Sequence, residues 1–97
     1  MAYMPASATL YTHIAAFTAG QLIKTGPCLL QSVSINTKGV TGAVLTLYDG
    51  TSAAGTVLAV IDTTQNVQTL LYNLACTTGL FIAYSGTTAG DITITWQ

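Results

Sequence analysis

The chain has 97 residues, 51% of them hydrophobic and only 5% charged, and its net charge is −1. A chain of this length makes one domain with a small core. Its charges are Lys24, Lys38, Asp49, Asp62 and Asp91, too few and too scattered for the clustered basic face of a nucleic-acid binder or for charge-steered binding of acidic membranes or substrates.

The chain opens with MAYMPASATLYTHIAAFTAG, which has no basic residue before Lys24 and so lacks the charged leader of a signal peptide. Strands are predicted over Thr9–Ala16 and Gln21–Lys24 on either side of Gly20, although Ala15-Ala16 would also suit a helix. After Gly26-Pro27 comes a strand over Leu29–Asn36. There Leu29, Val33 and Ile35 share one face, while Gln31 and Ser34 fall on opposite faces, so the alternation is imperfect. Pro27 fits only at the start of that strand or on a sheet edge. Cys28 begins this region and its one companion, Cys76, lies far away. The two do not make a disulfide framework or a CxxC motif. They read as small buried hydrophobes kept reduced, with a bridge between them as the alternative.

Val44–Tyr48 and Val57–Ile61 flank Asp49-Gly50 and a run of small residues, which reads as a hairpin loop. Asp49 accepts hydrogen bonds from nearby backbone N–H groups, and Gly50 and Gly55 supply positive φ. Cation ligation by Asp49 with Asp62 or Asp91 is the less favoured reading, since hard cations want six or more clustered oxygens. Three further strands follow at Val67–Leu74, Leu80–Tyr84 and Ile92–Trp96. The last has a clean period of two, with Ile92, Ile94 and Trp96 inward and Thr93 and Thr95 outward. The apolar region Leu70–Tyr84 is broken by Asn73, Thr77, Thr78 and Gly79, short of the ~18–20 apolar residues that cross a bilayer.

About seven or eight strands with Gly or Asp-Gly at most joints and no convincing amphipathic helix predict an all-β fold. The expected form is a compact antiparallel β-sandwich, jelly-roll-like or Greek-key, with a small closed barrel as the alternative. Val33, Ile35, Leu45, Leu47, Ile92 and Ile94 are the expected core. The domain covers residues 1–97, with 1–20 either an extended arm or a first strand.

The Gly26-Pro27 strand start, the turn Ser34-Ile35-Asn36-Thr37, LYDGTSAAGT (residues 47–56), the strand led by Gly79-Leu80 and the closing Asp91-Ile92-Thr93-Ile94 together resemble small β-sandwich structural proteins of tailed bacteriophages. The resemblance covers roughly residues 22 to 97. It implies a virion component assembled in the host cytoplasm, of the kind that decorates or cements a capsid by packing on the major capsid protein. A surface this poor in charge predicts a homo-oligomer of closed symmetry, and the resemblance favours a trimer because such proteins often sit at capsid three-folds. A tail, neck or fibre subunit is the alternative location. A charge-poor surface crowded with Thr, Ser, Gly and Ala suits a protein that ends packed against others, since low net charge weakens the barrier to association.

No catalytic, metal-ligating or cofactor-binding set is expected. His13 is the only histidine and reads as a surface or satisfied residue; no H-E-x-x-H, G-x-S-x-G or phosphate loop accompanies it. A carbohydrate-binding module is a further reading, with Tyr3, Tyr11, Tyr48, Tyr72, Tyr84 and Trp96 as stacking rings, although packing is their commoner role. Tyr3, Met4, Leu10, Tyr11, Ile14 and Phe17 are the candidate interface residues, on the expectation that an apolar N-terminal arm pairs with a neighbouring sheet edge.

Overall fold

The computed structural model describes residues 9–15, 20–40, 42–86 and 90–97. These form eight strands: β1 (Leu10–Ala15), β2 (Gln21–Thr25), β3 (Cys28–Thr37), β4 (Val44–Asp49), β5 (Thr56–Asp62), β6 (Gln68–Cys76), β7 (Gly79–Ser85) and β8 (Asp91–Trp96). No helix occurs among the described residues.

The strands make two four-stranded antiparallel sheets, ordered β1-β8-β3-β6 and β2-β7-β4-β5. The pairs β1·β8, β2·β7, β3·β6 and β4·β5 therefore alternate between the sheets. The chain is in effect one long antiparallel ribbon, with the β4–β5 hairpin at its tip, rolled up so that successive stretches lie in opposite layers. That is a jelly roll.

Among the described residues, two bends of the ribbon are tied by backbone bonds between its two strands of chain. Where β2 passes to β3 and β6 to β7, Gly26 N–H donates to Thr78 C=O at 2.9 Å. Between β3 and β4, Gly39 N–H donates to Thr63 C=O at 3.0 Å, and Thr63 donates to Ala43 C=O through both its N–H and its hydroxyl. Thr63 is fully buried, and these bonds satisfy the polar groups that its burial takes from water.

The six residues expected in the core are all buried, joined by Ile14, Leu30, Ile61, Cys76, Leu80 and Ile82. Trp96 is half-buried against the core and donates from Nε1 to Thr12 Oγ1 at 3.3 Å. Leu29 differs from expectation. The β3 register shifts between Leu30 and Ser32 against both neighbouring strands, so Leu30, not Leu29, joins Val33 and Ile35 inside. One inserted residue reverses the parity of a strand, which is why the alternation over residues 29–36 was imperfect.

The β4–β5 loop also departs from the reading of its glycines. Neither Gly50 nor Gly55 has positive φ. They are needed for close approach instead: a Cβ on Gly55 would stand 2.5 Å from Asp49 O, and one on Gly50 would stand 3.0 Å from Gly55 Cα.

Residues 10–15 of the N-terminal segment are the first strand of the domain's own sandwich, in register with β8 from Leu10↔Trp96 to Ala15↔Asp91.

Candidate functional site

Three features stand outside the core: the outer face of each sheet and the corner held by Asp49.

Asp49 ends β4, and its carboxylate reaches across to the β6–β7 corner. It accepts from the backbone N–H groups of Thr77, Thr78 and Gly79 at 2.9–3.3 Å and from the Thr77 hydroxyl at 3.1 Å. The partners expected within its own hairpin lie instead some thirty residues on, because the rolled ribbon brings its tip back to its second bend. These backbone bonds, that from Thr77 first, lower the Asp49 pKa. Asp62 is lowered by the hydroxyl and N–H of Thr64 and by Gln65, and Asp91 by Asn36 and then His13.

A carboxylate whose pKa is lower in the folded state than in the unfolded state stabilises the fold above its unfolded value. That contribution is lost as pH falls through the folded value. Thermal stability is therefore expected to be insensitive to these groups from about pH 5 upward and to fall as pH drops below 3.8. Asp49→Asn should lower Tm at neutral pH more than Asp62→Asn or Asp91→Asn, because it alone presents an amide to three backbone donors. Melting curves of the three variants check the order; equal shifts would remove the special role of the corner.

The outer face of the β1-β8-β3-β6 sheet is lined by hydroxyls on its two inner strands, with the exposed Tyr11 and Leu71 on its edge strands. Register places Tyr11, Thr95, Ser32 and Leu71 in one row across all four strands, and His13, Thr93, Ser34 and Thr69 in the next. The hydroxyls bond across strands: Ser32 to Thr95, and Ser34 to Thr69 at 2.9 Å. Asn36 Nδ2 donates to Asp91 Oδ1 at 2.8 Å and to Thr93 Oγ1 at 3.0 Å, and His13 Nε2 lies 2.7 Å from the same Asp91 oxygen. The His13–Asp91 pair joins residues 78 apart in sequence, and no motif announces it.

The outer face of the β2-β7-β4-β5 sheet carries two largely apolar rows, beyond which a third, Ser85, Val44 and Asp62, ends in a charge. Leu22, Phe81, Tyr48 and Val57 form an unbroken row across its four strands, and Ala83, Thr46 and Val60 form the adjoining one. The Tyr48 and Phe81 rings meet with centroids 6.3 Å apart, tilted by 53°, a geometry aromatic pairs favour. Leu22, Val57 and Val60 are exposed, the last to 64%. No charged residue stands in either row. Sequence reading passed over this face because its members come from four strands and each looks like an ordinary half-buried strand residue; only the register lines them up.

Of the candidate interface residues, Ile14 lies in the core, Leu10 is half-buried and Tyr11 is 73% exposed. Tyr3, Met4 and Phe17 fall outside the described residues. Among the proposed stacking rings, Tyr11 alone is presented on the hydroxyl face. Tyr72, Tyr84 and Trp96 are half-buried against the core, Tyr48 lies in the apolar row, and Tyr3 lies outside the described residues.

Among the described residues no three His, Cys, Asp or Glu side chains gather as a metal-holding group, and no helix is long and apolar enough to cross a membrane. No family model, curated protein or solved structure matches the chain.

Proposed function

We propose that the protein is a structural subunit of a tailed-bacteriophage virion, a decoration or cement protein that packs on the major capsid protein as a homo-oligomer, with a trimer favoured. The observation that carries the reading is the charge-free row Leu22–Phe81–Tyr48–Val57 turned outward across a whole sheet. Adjoining apolar residues exposed on one face mark an interaction surface. With a net charge of −1, copies of the chain repel one another weakly, so a second copy is the occupant this face suits. Closed symmetry keeps such association finite. The resemblance to phage β-sandwich proteins supplies the virion setting, and the use of jelly rolls in capsids is consistent with it as an analogy of fold.

Mass spectrometry of purified heads and tails tests virion membership and position together. The chain is expected in heads; its presence in tails alone would move it to the tail, neck or fibre, and its absence from particles would end the reading. The interface has its own test. Val57→Lys with Val60→Lys should abolish self-association in sedimentation while leaving the β-rich spectrum intact, because both side chains already face solvent. A wild-type chain that stays monomeric at micromolar concentration would remove the face as an assembly surface. If the chain bound a glycan array, and Tyr11→Ala abolished that binding, the carbohydrate reading would take its place.

A further inference from the structure

We propose that Cys28 and Cys76 form a reversible disulfide site that, on meeting a small-molecule disulfide, fastens the edge strand β6 to β3. This inference stands apart from the virion reading. The two residues lie 48 apart in sequence and are direct register partners at the end of the β3–β6 ladder. Leu29, the residue after Cys28, gives its N–H to Gln97 C=O and takes the Gln97 N–H, both at 2.9 Å. With Leu29 turned to that side, the backbone groups of Cys28 face β6, and Cys28 and Cys76 form a hydrogen-bonded pair. Such pairs hold their Cα atoms about 5.5 Å apart, within the ~4.4–6.8 Å that a disulfide spans. As direct partners the two side chains leave the ladder on the same face, with Cβ atoms about 4.5–5.5 Å apart, so closure draws the two strand ends slightly together.

The two thiols are not equivalent. Cys76 is buried and Cys28 is half-exposed. Burial raises both, Cys76 to about 12, and Asp49 pushes both in the same direction while Lys24 opposes it at Cys28. Cys28 is therefore the thiol an external reagent meets. Its thiolate attacks one sulfur of oxidised glutathione, forming a mixed disulfide and releasing one glutathione thiolate. Cys76 then gives up its proton and attacks the Cys28 sulfur, releasing the second glutathione. The protein loses two protons and two electrons, and one oxidised glutathione becomes two reduced ones. Among the described residues β6 is an edge strand whose one sheet neighbour is β3, so the bond adds a covalent tie to the ladder that joins them. The pair stays open in a reducing compartment and closes in an oxidising one.

Incubation of the native protein with oxidised glutathione, followed by intact mass measurement without reductant, tests this directly. The expected product is a monomer lighter by two hydrogens with no glutathione attached, reversed by dithiothreitol. Its Tm should be higher by on the order of 10 °C than that of the dithiol form. Cys76→Ser should instead retain one glutathione, located at Cys28 by peptide mapping. A wild-type protein that remains a dithiol, keeps glutathione on Cys28 or links to a second chain would overturn the proposal. Because the decisive measurement is made on the wild type, it does not depend on how well the variant folds.

Discussion

Leu47→Ala is expected to destabilise the domain by about 3–4 kcal/mol, through lost transfer free energy and the cavity left behind. Leu47 is wholly buried on β4, an interior strand of its sheet with β7 on one side and β5 on the other. Its register partners are Ile82 and Ala59, held in ladders that leave little freedom to collapse into the gap. For a domain of this size the loss corresponds to a fall in Tm of roughly 15–25 °C. Val60→Ala on the outer face of the same sheet should change stability by less than about 0.5 kcal/mol in the monomer. Chemical denaturation of the two variants under conditions that keep the chain monomeric separates them. A Leu47→Ala cost near that of Val60→Ala would mean that the core is not packed as described.

Gly79→Ala should cost about 2–3 kcal/mol, for a different reason. A Cβ at this position would stand 2.7 Å from Lys24 O and 2.8 Å from Gly50 O. Both obstacles are backbone carbonyls, so no side chain can swing aside. Gly79 is also bonded on both sides of its peptide unit: its N–H donates to Asp49 at 3.3 Å and its C=O accepts from Gly50 at 3.1 Å. Making room therefore separates β2 from β7 or pulls the ribbon tip away from its corner. A fall in Tm of roughly 10–20 °C is expected, with weaker protection from hydrogen exchange at Thr77, Thr78 and Gly79. A variant that melted with the wild type would show that the three segments do not converge as closely as the geometry requires.

The two sites differ in how far the sequence reveals them. Leu47 could be placed inside from the alternation Leu45-Thr46-Leu47 alone, because a strand with one buried face must repeat with period two. The same rule located Val33, Ile35, Ile92 and Ile94, and the turn residues between the runs marked most of the strand boundaries. Gly79 read as nothing more than the start of a strand. What makes it irreplaceable is the approach of Lys24 and Gly50, residues 55 and 29 positions earlier in the chain.

The sequence by itself determined that this protein is built of short antiparallel strands with a small apolar core and almost no charge, since composition and periodicity act residue by residue. Only the tertiary structure decided which Leu of the Leu29-Leu30 pair enters the core, because the bulge that sets their parity exists in relation to neighbouring strands. It likewise decided that Asp49 ties the tip of the ribbon to a distant corner and that His13 meets Asp91. Pairing register is a property of two strands at once and leaves no local mark on either. The same holds for the two outer faces: four strands must lie side by side before Leu22, Phe81, Tyr48 and Val57 become a surface rather than four separate residues.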